Sequence, residues 1–233
     1  MKFALILLAG LPVLAQTSTP EQCAELRHHG DPAAKECYRQ LTQSRDLEAQ
    51  AEGYWGLRDY QASFNAFVAE EKQNPNDPRL HVRFGRMLLE HWQPGDATDE
   101  FGRALKIKPD YAPALLGEAL AAAQAYGGNA EELARKALES DPKLVEAQEL
   151  IARIALEDNN EPKASAEAKK ALGMSKEALD GMAILGTIDL LDDKKESPWF
   201  QQILKINPRY GEAYETAGHF FFINRRYDEE IEA

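Results

Sequence analysis

Residues 94–109 read PGDATDEFGRALKIKP. Ala97, Phe101, Ala104 and Leu105 recur at intervals of three and four, which places them on one face of a helix, and Pro109 stands where that helix must stop. The same pattern returns along the chain. Pro75, Pro109, Pro142 and Pro208 are separated by 34, 33 and 66 residues. A small residue recurs at Ala51, Gly85, Ala119, Ala152, Gly186 and Gly218, and another at Ser63, Ala97, Ala130 and Ala164. A mostly aromatic position runs Phe67, Phe101, Ala134, Ala168, Phe200, and Ala104, Ala137 and Ala171 form a fifth series. Small residues are required where helix axes cross closely, the aromatic fills the space between one helix pair and the next, and proline cannot continue a helix. Helical spacing persists between these markers, as in KLVEAQELIARIAL at 143–156, and no stretch alternates like a strand. The expected fold is all-α, built from helical hairpins with a period near 34.

This pattern resembles the tetratricopeptide repeat. Ala97, Phe101, Ala104, Leu105 and Pro109 match that family's second helix. Tyr54, Tyr60, Phe67 and Pro75 match in the preceding unit, Leu185-Gly186 matches the family's Leu-Gly pair, and Gly218 and Tyr227 match in the last unit. The family's first-helix tryptophan is absent, Lys176 replaces a closing proline, and Glu196 and Glu230 stand where alanine is usual. The resemblance covers residues 44–233 and implies a right-handed superhelical solenoid of antiparallel helix pairs. The units are 44–77, 78–111, 112–144, 145–178, 179–210 and 211–233, about five and a half repeats in which each buries a face on its neighbours.

The 233 residues are 44% hydrophobic, enough to bury a core and to exclude wholesale disorder. With 39 acidic and 27 basic side chains the formal charge is −12, which argues against a broad nucleic-acid or anionic-membrane surface. Residues 1–15, MKFALILLAGLPVLA, combine a basic start at Lys2 with an apolar run from Phe3 to Leu14, and Val13 and Ala15 fit a signal-peptidase site. Cleavage after Ala15 would export the chain to the periplasm or beyond the cell. It would also remove Lys2 and leave 26 basic against 39 acidic side chains, a charge of −13. No other segment approaches the 18 uninterrupted apolar residues of a membrane span.

Export changes the reading of Cys23 and Cys37. They flank the Gly30-Asp31-Pro32 break of a short hairpin within 16–43 and would face each other across it. In an oxidising compartment a bond is expected, worth roughly 3 kcal/mol for so short a loop. At the other end, Asn224-Arg225-Arg226 reads as a turn and Tyr227 opens a second helix that reaches Ala233 after about seven residues. The expectation is an N-terminal part of a longer chain, with the apolar run His219–Phe222 offering an open end for self-association.

Catalytic and phosphate-binding motifs are lacking in the sequence, so no cofactor is expected. His28-His29 with Asp31 is the only local cluster suited to a metal, and it reads as a solvated turn with no metal. Function is therefore expected from surfaces. The family resemblance implies a concave groove lined by first helices, taking an extended peptide or a helix of a protein partner. Its candidate positions are Arg79, Arg83 and Arg86 in the second unit, Leu116 and Leu120 in the third, Arg153 in the fourth, and His219 and Phe222 in the last. The arginines form a stripe suited to a carboxylate, unless they pair with neighbouring acids. Trp55 and Trp199-Phe200 read either as anchors for the bound segment or, as is commoner for such aromatics, as packing between units. The rival reading is a non-catalytic N-terminal region of an exported enzyme, such as a hydrolase with its catalytic domain beyond residue 233.

Overall fold

The computed structural model describes residues 18–194 and 196–223; the leader expected at 1–15 and the turn and helix start expected at 224–233 lie outside the described residues. Within them the chain forms thirteen helices and no strand. A first hairpin comprises α1 (Pro20–His28) and α2 (Ala33–Leu41). Five pairs follow: α3 (Leu47–Gly56) with α4 (Tyr60–Gln73), α5 (Pro78–Glu90) with α6 (Pro94–Ile107), α7 (Ala112–Gln124) with α8 (Ala130–Ser140), α9 (Val145–Glu157) with α10 (Glu161–Met174), and α11 (Leu179–Leu191) with α12 (Pro198–Ile206). α13 (Glu212–Ile223) then lies on α11. From α1 to α12 each helix packs on its neighbour in sequence, so the pairs stack into a right-handed superhelical solenoid.

The periodic positions are the core. Ala97, Phe101 and Ala104 have no exposed surface, nor do Ser63, Phe67, Ala134, Ala137, Ala164, Ala168 and Ala171. The requirement for smallness is steric. A Cβ placed on Gly85 would meet the Phe101 ring at 2.6 Å, and one on Gly117 in α7 would meet it at 2.4 Å. Phe101 thus occupies the space that two glycines leave, one in its own pair and one in the next. Each recurring proline stands two residues past a helix: Pro75 after Gln73, Pro109 after Ile107, Pro142 after Ser140, Pro208 after Ile206.

The turns inside the pairs share a second device. Arg58, Trp92, Tyr126, Asn159 and Asp193 all adopt positive φ, between 54° and 63°. At each one the helix ends in a Schellman motif. Arg58 and Asp59, for example, donate their amides to the carbonyls of Trp55 and Tyr54, and Trp92 and Gln93 donate to Leu89 and Leu88. Gly30 plays the same part after α1 with φ +64°, where glycine adopts the conformation without a Cβ penalty.

Cys23 and Cys37 are joined by a disulfide that closes the α1–α2 hairpin, and Cys23 is fully buried. The superhelix comes round far enough for this hairpin to touch later units. Asn207, in the turn before α13, donates through Nδ2 to the Arg27 carbonyl at 3.3 Å. His28 and His29 face Glu177, in the turn between α10 and α11, at 3.5 and 3.4 Å. The array is closed into a ring by these contacts.

Two pairs carry a buried polar crosslink at equivalent positions. In the second, His81 places Nδ1 2.7 Å from Glu100 and Nε2 2.9 Å from the Pro75 carbonyl. In the fourth, Gln148 donates to Glu167 at 2.7 Å. Both His81 neighbours accept hydrogen bonds, so the site favours the imidazolium, and the Glu100 hydrogen bond raises the His81 pKa above its ordinary value. A raised histidine contributes stability that is full below about pH 6.5 and is lost as pH rises through the folded-state pKa. His81→Gln should therefore cost about 1.5–3 kcal/mol at pH 5.5 and progressively less toward pH 8.5 in thermal denaturation, because glutamine can donate to Glu100 as Gln148 does to Glu167. A constant difference between the two pH profiles would contradict the assignment.

Candidate functional site

The first helices of the pairs line the inner face of the ring. α5, α7, α9 and α13 enclose a cavity of about 420 Å³, lined by Arg86, Leu89, Glu90, Leu120, Ala123, Gln124, Glu146, Arg153, Glu157 and His219. Trp92 and Tyr126 stand at its rim, from the turns that follow α5 and α7. A second and larger space, about 1050 Å³, opens between the α1–α2 hairpin, α3, and the turn before α13. Arg86 and Glu90 border both.

The arginine stripe is not an open carboxylate receptor. Arg79 donates to Glu48 at 2.7 Å, and Arg83 holds Glu52 with two bonds of 2.5 and 2.6 Å while its guanidinium lies over the Trp55 ring. Arg86 reaches across the inner face from α5 to α9, where it grips both oxygens of Glu146, one of them at 2.9 Å. Burial opposes the Glu146 charge, but Arg86 outweighs it and holds the carboxyl below its usual range. Planar guanidinium forks match carboxylates two bonds at a time, and here the chain supplies those carboxylates itself.

The other expected positions divide. Leu120, Arg153 and His219 line the smaller cavity. Leu116 does not face the groove: it is 1% exposed and packs with Ala134, Ala147 and Ile151 between the third and fourth units. Four residues overshoot a helical turn by about 40°, and that rotation separates Leu116 in the core from Leu120 at the edge of the lumen. Phe222 is 55% exposed and is not part of the cavity lining. Trp55 is buried against Phe67 and donates from Nε1 to Glu90 at 2.8 Å, and Phe200 is buried as well.

Deeper along the inner face, Glu149 of α9 accepts from the Gly181 amide at 3.0 Å. It caps the start of α11, where Ala178 offers no side-chain cap. Burial, with Asp180 beside it, raises the Glu149 carboxyl to about 8. Asp180 in turn accepts the Tyr210 hydroxyl, whose own pKa burial and the Asp180 charge push up. Glu71, His81 and Glu100 form a tight acidic–imidazole group, but both His81 nitrogens and both carboxylates are engaged by Pro75, Glu100 and Arg103.

The rim aromatics were not legible as functional residues. Trp92 is 79% exposed and Tyr126 88% exposed, the largest values among the exposed large hydrophobic residues described. Both sit in the left-handed conformation that non-glycine residues disfavour by roughly 1–2 kcal/mol. Their 34-residue separation was the available clue.

No family model matches the chain. Among solved structures, a thermophilic tetratricopeptide-repeat protein of Thermus thermophilus is similar with a TM-score of 0.59 and 17% identity, over 81% of this chain and 99% of that one. Yeast Tom70 gives 0.59 and 17%, over 91% of this chain and 49% of that one. A tetratricopeptide-repeat protein of Parabacteroides merdae gives 0.52 and 18%, over 84% and 77%. The chain has the fold of tetratricopeptide-repeat proteins.

The strain at the rim has a measurable consequence. Trp92→Gly and Tyr126→Gly each relieve the left-handed penalty but gain unfolded-state freedom, so each should stabilise by about 0.5–1 kcal/mol in urea denaturation. A loss of stability on either change would show that the exposed rings make compensating contacts.

Proposed function

We propose that the chain is a non-catalytic protein-interaction scaffold whose inner groove takes an extended peptide or a helix of another protein. The observation that carries this reading is the pair of exposed aromatics, Trp92 and Tyr126, that both line one cavity. Tryptophan and tyrosine give large, rigid contact area with a polar tip, and they dominate the energetics of protein interfaces. The tetratricopeptide-repeat fold supports the same reading.

The cavity lining describes the occupant. Leu89, Leu120 and Ala123 offer an apolar floor, and Arg153, Glu157 and His219 offer polar contacts around it. Arg86 and Glu146 satisfy one another. An amphipathic segment suits this surface better than a uniformly charged one, with one apolar side chain on the floor between the two rings. The leader at 1–15 and the closed Cys23–Cys37 bond support action in an oxidising compartment, the periplasm or the cell exterior.

Peptides selected from a displayed library on the full chain test the reading. Their affinity should fall about tenfold or more in the Trp92→Gly/Tyr126→Gly double variant, although that variant is the more stable protein. Tryptophan emission of the native chain should shift to shorter wavelength on binding, since Trp92 starts in water. Equal affinity for both proteins, with no emission shift, would remove the rim from the binding surface.

A further inference from the structure

We propose that His28, His29 and Glu177 form a binding site for a single divalent cation of the zinc type, which clasps the disulfide-closed hairpin to the α10–α11 turn. The histidines end α1, at its last residue and its C-cap, and Glu177 stands 149 positions after His28 in the chain. Curvature of the array, rather than local sequence, brings them together. One donor atom from each lies within 4.8 Å of the other two.

The distances favour coordination over direct pairing. The two imidazole Nε2 atoms are 3.5 and 3.4 Å from the same carboxylate oxygen, Glu177 Oε2. A nitrogen–oxygen hydrogen bond spans about 2.7–3.2 Å. Two ligands bound at about 2.0–2.1 Å in a tetrahedron are themselves about 3.3–3.4 Å apart. Both imidazole–carboxylate separations therefore match the edge of such a tetrahedron, and the two imidazole donors lie within 4.8 Å of each other.

The far side of the His29 ring is anchored. His29 Nδ1 lies 3.0 Å from the Glu25 carbonyl, which can only accept, so Nδ1 carries a proton, and Nε2, facing Glu177, is the nitrogen from which a cation would displace the other proton. The Glu25 carboxylate lies 3.5 Å from that same nitrogen. A carbonyl or carboxylate on the far side of a ligating imidazole is the usual means of orienting it. On the opposite wall, the Glu177 amide donates to Ser175 Oγ at 3.1 Å and shapes the turn that presents the carboxylate. The side chains are 37%, 38% and 50% exposed, which leaves the fourth position to water. Two imidazoles with one carboxylate suit zinc, nickel or copper rather than magnesium or calcium, which take oxygen donors.

Calorimetric titration of the full chain with zinc chloride, in chelator-free buffer at neutral pH, tests the site. One equivalent should bind with a Kd below about 100 μM, and magnesium chloride should give no heat. Glu177→Ala, His28→Ala and His29→Ala should each weaken zinc about tenfold or more, while His91→Ala, beside Tyr60, leaves it unchanged. Circular dichroism identical to the native chain would establish that the variants fold. Zinc should also slow hydrogen exchange in the 175–178 turn of the native chain and not of Glu177→Ala. Absence of zinc binding, unchanged affinity in Glu177→Ala (an adventitious ion on the histidines only), or unaltered exchange in the turn would overturn the proposal.

Discussion

Helices can stack indefinitely only if their axes approach closely at every crossing, and in this chain that approach is set around Phe101. Its ring has no exposed surface and lies against Gly85 on one side and Gly117 on the other. Any Cβ at either glycine would overlap the ring, so the second and third pairs are held at a separation fixed by one aromatic thickness. Further along, Ala134 and Ala168 occupy the aromatic position, and packing there relies on Leu116, Ile151 and Leu156 instead. The curvature of the inner face, and with it the placement of the cavity and the return of the chain toward its own first hairpin, follow from these contacts.

An acidic protein has to distribute its charge without leaving buried ions alone, and this one does so between units. Glu48 with Arg79 and Glu52 with Arg83 are 31 residues apart, and Glu71 with Arg103 and Glu131 with Lys163 are 32 apart. Each bond ties a unit to the next at almost the repeat distance. Those that are exposed add little stability individually. Glu52 is buried, however, and its bidentate bond to Arg83 keeps a desolvated carboxylate paired. The basic residues that look like a receptor in one dimension are thus part of the wall.

The fold was legible because its constraint is repeated. Ala97, Phe101, Ala104 and Pro109 carry the pattern in a single helix, and the other units need only approximate it. The pairing of the arginines was legible only in outline, since a partner one repeat away depends on helix rotation. Leu116 and Leu120 are one helical turn apart in sequence, yet the first is sealed between units while the second borders the lumen. The left-handed turns carry little sequence signal because glycine and asparagine, the residues that announce such a conformation, are mostly replaced there by arginine, tryptophan, tyrosine and aspartate. Glu177 beside His28 and His29 is a product of accumulated curvature and has no local signature at all.

Repeat arrays ordinarily behave as one-dimensional chains in which each unit senses only its neighbours, so that ends fray and unfolding creeps inward. The contact of Asn207 with Arg27 changes that behaviour, as does the Arg86–Glu146 bridge, which passes over an entire unit. Once the first hairpin rests on the fifth pair, releasing it also strips support from a unit nearly two hundred residues downstream. The disulfide prevents that hairpin from loosening by itself. Melting then becomes a collective event with a single nucleus to breach, closer to the all-or-none behaviour of a globular domain than to the gradual transition of an open solenoid.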